Sequence, residues 1–377
     1  MEDLKQRVRK EILQLKPYIP GKHMEELKRE LGINEIIKLA SNENPLGPSK
    51  RSIEAMKRAA ETAHIYPDSY NYHLKKALAE KYNLREKQLI LGNGSDELIK
   101  LIAETFLAEG DEIIMPDPSF SEYEFASTLM GAQCIKVPTK DFRVDVNAIR
   151  AKIGPRTKLV FLCNPNNPTG TIVTRKEMDE FIDRLPGGTI LVLDEAYCEY
   201  VTSDDYPDGI EYIRQGKDVI VLRTFSKVYG LAGLRIGYGI SSEEIIDMIQ
   251  RVKEPFNVNS IAQAGALESL KDEIQITRSR EMVEKGKKYL YHALTHMGLT
   301  YVPTEANFLL INVNRDSQEV FQELLKRGVI IRTGDIFGLP DYIRVTIGTM
   351  EQNERFISAL KEVLLKLTNS AQKRASS

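Results

Sequence analysis

TFSKVYGLAGLRIGY, residues 224–238, decides how the rest of the chain is read. It follows the apolar run VIVL at Val219–Leu222, which has the length and composition of a short buried strand. Lys227 therefore stands just past a strand end, where open α/β sheets place their ligands. Thr224 and Ser226 bring hydroxyls in front of it, and Gly230, Gly233 and Gly237 follow as places where another backbone or a ligand can come close. Arg235 lies within the same glycine-rich stretch. A lysine among hydroxyls, glycines and an arginine suits an aldehyde that also carries a phosphate: the amine reacts with the aldehyde, and the guanidinium and hydroxyls hold the phosphate. The plain alternative is a solvated loop lysine, so the neighbouring segments have to decide.

Working outward, strand and helix signals alternate. QLILGNGSDELIKLIAETF reads as strand, glycine turn and helix, with Leu98, Ile102 and Phe106 on one apolar face and Ser95 or Asp96 as the cap. EIIMPDPSFSEYEFASTLMGA, QCIKVP, TKLVFLCNPNNPTG, EMDEFIDRL, TILVLDEAY and DVIVLRTFSK continue the pattern. Apolar strands without strict alternation, each followed by a loop and a helix, predict an α/β unit whose mostly parallel sheet is covered on both faces. Asn167, Asp194, Tyr197 and Lys227 all fall just after such strands. Beyond Tyr238 the pattern predicts a long helical region over 243–297, broken near Pro255. Strand ANFLLINV, helix SQEVFQELLKRG, strands VIIRTG and DYIRVTIG and a last helix to about 367 then form a smaller α+β unit. The expected division is a large domain over 36–285, and a small domain of 1–35 and 286–377 in which the N-terminal helix, predicted over 4–16, packs on the last part. Pro17 and Pro20 stiffen the arm that carries Tyr18.

Composition narrows the function classes. The chain has 377 residues, 42% apolar and 28% charged, with a net charge of −2. These values suit a soluble globular protein and give no reason to expect a nucleic-acid or membrane partner. Three cysteines, Cys134, Cys163 and Cys198, lie in apolar segments and read as reduced thiols of a cytoplasmic protein. The charged first residues, MEDLKQRVRKEILQLK, do not read as a signal peptide, and no apolar run approaches membrane-spanning length. The five histidines are scattered; His292 and His296 are four apart, but no carboxylate completes a ligand set and no metal is expected. Neither GxSxG nor GxxxxGK[ST] occurs. A pyridoxal-binding transcription regulator needs a basic DNA-binding module, for which the first 40 residues are too short.

Pyridoxal phosphate asks five things of a protein, and each has a candidate. The aldehyde needs Lys227. The ring nitrogen needs an acid, Asp194, to keep it protonated. The phenolic oxygen needs donors, Tyr197 and Asn167. The ring needs a stacking partner, Tyr123. The phosphate needs a cradle: Ser95, Asp96, Thr224, Ser226 and Arg235. Each residue alone has a plain structural reading, as a strand end, core aromatic or turn former; their common placement after parallel strands favours the joint one.

The ordered motifs GNGSDE, DPSFSEY, NPNNPTG, LDEAY, TFSK and GLAGLRIGY resemble the pyridoxal-phosphate aminotransferases of the aspartate aminotransferase fold, fold type I of the enzymes that use this cofactor. KPYIPGK, LASNENPLGPS, the YPD that begins at Tyr66, IRTG and YIRVTIGT make the resemblance closer to the histidinol-phosphate aminotransferases, over residues 15–367. Phe120 departs from the family pattern, in which tyrosine is common there; Tyr123 keeps the stacking role in this reading. The resemblance implies an amino transfer between histidinol phosphate and 2-oxoglutarate or glutamate in histidine biosynthesis. It makes Lys227 the covalent anchor and proton carrier, with Asp194 and Tyr197 beside it. It implies a homodimer in which Tyr66 reaches the partner's cofactor phosphate. It gives the substrate Arg344, Arg332, Asn167 and Tyr18. Within the same fold, an aromatic amino-acid aminotransferase and a threonine-phosphate decarboxylase-like lyase are the alternatives.

Overall fold

The computed structural model describes residues 2–15, 32 and 35–375, without the side chains of 2–4 and 370–375. Its centre is a seven-stranded sheet in the order β2-β8-β7-β6-β5-β3-β4. The strands are β2 (Leu89–Gly92), β3 (Glu112–Asp117), β4 (Gln133–Pro138), β5 (Thr157–Cys163), β6 (Ile190–Asp194), β7 (Val219–Thr224) and β8 (Gly237–Ile240). β7, β6, β5, β3 and β4 run parallel; β8 is antiparallel to both β7 and β2. This is the mostly parallel α/β sheet that the sequence predicts.

The absence of polar alternation in these strands has a direct cause. Val160, Leu162, Leu191, Leu193, Val219 and Val221 enter one apolar core. Their neighbours Leu159, Phe161, Val192, Ile220 and Leu222 enter a second core on the opposite face. Successive side chains of a strand point to opposite faces, and here both faces lie under helices. The register sets Cys163 beside Asp194 and Asp194 beside Leu222. Three parallel strands thus end at one edge: β6 ends on Asp194, and the loops that follow the strands carry Asn167, Tyr197 and Lys227 to the same place.

A second sheet has the order β12-β13-β10-β9 and is antiparallel throughout: β9 (Tyr301–Val302), β10 (Phe308–Asn312), β12 (Arg332–Thr333) and β13 (Tyr342–Thr346). The segment VIIRTG does not form one strand. Val329–Ile330 (β11) pairs in parallel with Ile37–Lys38 (β1), and Arg332–Thr333 then joins β13. Leu39 is clamped between the two: its N–H donates to Ile330 O and its carbonyl accepts from Thr346 N. The expected domain boundary after residue 285 falls inside the continuous helix Glu273–His296, and β1, expected in the large domain, pairs with β11 of the last part. The final helix runs over Met350–Ala375, longer than expected.

The N-terminal segment also differs from expectation. Its helix is only Glu2–Arg7, followed by a short turn of 3-10 helix at Ile12–Gln14. Among the described residues, its hydrogen-bonding side chains reach the unit of the large sheet. The Arg9 guanidinium donates to Leu129 O, a carbonyl left open at the end of the helix Glu122–Leu129, and Lys10 pairs with Glu109. Among the described residues, no helix is long and apolar enough to cross a membrane.

Candidate active site

Lys227 follows β7 in a loop whose backbone is pinned by Gly230 N to Lys227 O and Leu231 N to Phe225 O. Its ammonium donates to Ser41 O at 3.1 Å and lies 5.6 Å from the centre of the Tyr197 ring. Burial, and then the Arg344 guanidinium, bring its pKa down from 10.5 to about 8, against the opposing pull of Asp96 and Glu43. An amine that is partly neutral near physiological pH is a nucleophile.

Asp194 ends β6 and is 2% exposed. Its carboxylate accepts from the Tyr123 hydroxyl at 2.7 Å and from Ala196 N at 3.1 Å. Desolvation is the largest influence and raises its pKa to about 6, although both hydrogen bonds favour the charged form. A buried carboxylate in that state invites a cationic partner.

Tyr123 does not fit the stacking role. Its ring is fully buried, one face lies on Phe161 at 4.8 Å between centroids, and its hydroxyl is engaged with Asp194. It braces the acid from beneath. The half-buried aromatic beside it is Phe120, edge-on at 5.6 Å. Both residues precede or open the helix Glu122–Leu129, and sequence spacing does not say which one faces the site.

Tyr197 and Asn167 flank Lys227 and Asp194. Tyr197 is buried with its ring edge-on to Phe308, and its hydroxyl oxygen accepts from Asn42 Nδ2 at 3.0 Å. Asn167 Oδ1 accepts from Arg344 Nη1. That bond occupies the oxygen of the amide and leaves its NH₂ as the end that can donate to a ligand.

The anion cradle assembles from three segments. The helix Ser95–Phe106 starts after Gly94, whose φ of +85° and lack of a side chain let Arg235 lie flush against the helix start; a Cβ there would fall 2.5 Å from Arg235 Nη2. Gly237 plays the same part for Ser95, since its Cβ would meet Ser95 N at 2.7 Å. Arg235 Nη1 reaches Ser226 Oγ at 3.4 Å, and Nη2 pairs with Asp96 at 2.9 Å. Thr224 Oγ1 accepts from Ser226 N at 3.1 Å. Asp96 thus holds the arginine, while the helix start and the hydroxyls are what an anion meets. An amine, a buried acid, two phenolic-oxygen donors and an anion cradle at one sheet edge fit pyridoxal phosphate.

Arg344 on β13 is 7% exposed; besides Asn167 it donates to Ala40 O at 2.8 Å and lies 5.4 Å from the rings of Phe308 and Phe337. Arg332 on β12 is its directly opposite cross-strand partner. Tyr66 stands on the surface, 78% exposed and stacked on Phe256 at 4.7 Å. Tyr18 lies outside the described residues.

The residues that sequence reading missed are Ala40, Ser41 and Asn42. They enter the sequence analysis only within LASNENPLGPS, as a mark of the resemblance, yet their polar groups meet Arg344, Lys227 and Tyr197 in turn. The run of Ser and Asn directly after the apolar IIKLA is the available signal.

Residues 34–360 match the family model described as aminotransferase class I and II. A histidinol-phosphate aminotransferase of Moorella thermoacetica is 56% identical over 357 residues, 94% of this chain and 92% of that one. One from Carboxydothermus hydrogenoformans, named histidinol-phosphate aminotransferase 2, is 49% identical over 95% of this chain and 99% of its own. The crystal structure of histidinol-phosphate aminotransferase from Sinorhizobium meliloti in complex with pyridoxal-5'-phosphate superposes with a TM-score of 0.88 at 28% identity, covering 96% of this chain and 98% of that one.

Proposed function

The chain belongs to the aminotransferase class I and II family, and from that membership we infer a pyridoxal-phosphate transaminase that moves an amino group between histidinol phosphate and the 2-oxoglutarate/glutamate pair, in histidine biosynthesis. The observation that carries the substrate reading is the pairing of Arg332 with Arg344. Side chains directly opposite on an antiparallel pair stand on one face, with Cβ atoms about 4.5–5.5 Å apart. The register brings the two guanidinium groups together on one face of the sheet, with Arg344 against Asn167. Planar guanidinium groups accept carboxylate and phosphate alike, which suits glutamate in one half-reaction and a phosphate monoester in the other. The relatives' names favour this reading over an aromatic amino-acid aminotransferase or a threonine-phosphate decarboxylase-like lyase.

Pyridoxal phosphate, when bound, supplies the aldehyde and an electron-withdrawing ring. The chain's residues do the rest. Lys227 holds the aldehyde carbon and later moves a proton to or from the substrate. Asp194, braced by Tyr123, keeps a proton on the ring nitrogen. Tyr197 and the Asn167 amide donate to the phenolic oxygen. Ser95, Thr224, Ser226 and Arg235 hold the phosphate, with Asp96 fixing Arg235. Arg344 and Arg332, with Tyr18 from the N-terminal arm, bind the substrate's anionic groups. Three unpaired cysteines support a cytoplasmic setting.

The test of substrate is a comparison of histidinol phosphate with histidinol. Each charged hydrogen bond contributes about 1.5–3 kcal/mol, so loss of the phosphate lowers kcat/KM by roughly a hundredfold or more. The same substrate pair should be discriminated much less by Arg332→Ala and Arg344→Ala. Equal rates for the two amines in the wild type would turn the reading toward an aromatic amino-acid transaminase.

A homodimer completes the site in this reading. Ile65, Tyr66, Tyr70 and Phe256 are exposed apolar residues, and Tyr66 and Phe256 line a groove of about 510 Å³ together with Asn93, next to the cradle. Contiguous exposed apolar surface of this kind marks an interface. Sedimentation at low concentration should show two chains per particle, and a fully active monomer would remove Tyr66 from the site.

A further inference from the structure

We propose that Asn42 is a positioning residue that sets the direction of the Tyr197 hydroxyl, so that its proton is presented to the bound cofactor. The proposal rests on the transaminase reading, in which Tyr197 touches pyridoxal phosphate.

Asn42 is 1% exposed and lies in the left-handed region, with φ of +56°. Every polar group it owns is engaged. Its N–H donates to Thr346 Oγ1 at 2.9 Å, its carbonyl accepts from Asn307 Nδ2 at 3.0 Å, and its side chain faces Thr346 Oγ1 at 3.3 Å and Tyr197 Oη at 3.0 Å. Which end of the amide meets which hydroxyl follows from counting donors. Thr346 Oγ1 accepts the Asn42 N–H, and among the described residues Asn42 Oδ1 is the acceptor within reach of its own hydrogen, so it donates to Oδ1; with the amide turned over, that hydrogen would have no partner. Nδ2 is then the end at Tyr197. An NH₂ group only donates, so the phenol oxygen accepts there and cannot place its own hydrogen on Asn42. Among the described residues, no acceptor for that hydrogen lies in range, so it is left for a ligand oxygen at the edge where Lys227 and Asp194 sit.

The same contact works in a second way. Burial drives the Tyr197 phenol upward, and the Asn42 donor is one of the influences that opposes this. A phenol that accepts one hydrogen bond is a stronger donor of another. Thr346 lies on β13 and Asn307 at the start of β10, so Asn42 ties the orientation of a residue after β6 to the second sheet.

Two variants separate this role from simple packing. Asn42→Asp keeps the shape and tolerates the left-handed backbone, but puts an acceptor at the phenol and turns the hydroxyl around. Asn42→Gly keeps the backbone freely and removes the amide. The first readout uses apoprotein: the tyrosine ring doublet in resonance Raman, taken as the difference between protein with Tyr197 and the Tyr197→Phe variant. It should report an accepting phenol in the wild type, a donating one in Asn42→Asp, and neither in Asn42→Gly. The second is the dissociation constant for added pyridoxal phosphate. Asn42→Asp should weaken it about tenfold, one hydrogen bond's worth, and Asn42→Gly less. Combining Asn42→Asp with Tyr197→Phe should weaken binding no further than Tyr197→Phe alone. Additive losses, or an unchanged doublet in Asn42→Asp, would overturn the proposal. A wild type that binds no pyridoxal phosphate would overturn the transaminase reading and this inference together, whereas additivity in a protein that does bind it overturns this inference alone.

Discussion

Lys227→Ala is expected to yield a protein that lacks the absorption band of the lysine–aldehyde adduct, still folds, still binds pyridoxal phosphate in its anion cradle, and turns over no substrate. The lysine does two things in this reading. It is the covalent anchor, so borohydride treatment of wild-type holoprotein should fix label on the peptide that contains Lys227 and on no other lysine. It is also the proton carrier, and loss of a positioned acid–base group costs about 10²–10⁴-fold by itself. Folding should survive because, among the described residues, the Lys227 ammonium makes a single hydrogen bond, to Ser41 O. The depressed pKa adds a pH signature. Attachment of the aldehyde needs the neutral amine, which in an ordinary lysine gains population only toward 10.5; here it does so through about 8. The rate at which apoprotein takes up the cofactor covalently should therefore rise between about pH 7 and pH 9 and then level off. A rate still climbing steeply near pH 10 would show that Lys227 sits in a wetter, less cationic place than the structure gives it.

Much of this site was legible in the sequence because its logic is local. An apolar run fixes a strand, the strand's end fixes the edge, and a polar residue one to four positions later is delivered there. Lys227 after β7, Tyr197 after β6 and Asn167 after β5 all follow that rule, and Asp194 is the last residue of β6 itself. The cradle was legible for the same reason, since Gly94 and Ser95 sit between a strand and an amphipathic helix. What escaped was set by pairing across long sequence distances. Nothing local in VIIRTG says that Ile331 separates two strands in different sheets, because Val329, Ile330 and Ile331 are equally apolar and equally buried. Yet that split is what places Leu39 between Ile330 and Thr346, and so lays Ala40, Ser41 and Asn42 across the site. Tyr123 was misjudged for a different reason. Phe120 and Tyr123 are both aromatic and stand one helical turn apart, so only the packing of Tyr123 on Phe161 distinguishes the buried ring from the half-buried one.

The opposite behaviour of activity and stability at Asp194 is the sharpest consequence of the site's electrostatics. Among the described residues no cation forms an ion pair with this buried carboxyl, and its pKa stands near 6 rather than 3.8. A folded-state value above the unfolded one means that the folded chain binds more protons between those limits. Stability contributed by the group is present at low pH and is lost as pH rises through about 6. Above that pH the ionised carboxylate works against folding, by on the order of 1–3 kcal/mol. Asp194→Asn removes the charge and keeps an oxygen that can accept from Tyr123, so the variant apoprotein should unfold at the same temperature as wild type or higher at pH 8. The advantage should vanish near pH 4. With cofactor the order reverses. Only a carboxylate can hold a proton on the ring nitrogen, and removing one partner of such a buried pair costs about 3–5 kcal/mol, or roughly two to three and a half powers of ten in turnover. Asp194→Ala should lose as much activity and, unlike the asparagine, also destabilise the apoprotein, because it strands the buried Tyr123 hydroxyl. Calorimetry of the three apoproteins beside single-turnover kinetics of the three holoproteins makes the comparison. An asparagine variant that is both markedly less stable at pH 8 and nearly fully active would mean that Asp194 is a structural residue and that the acid beside the ring nitrogen is another.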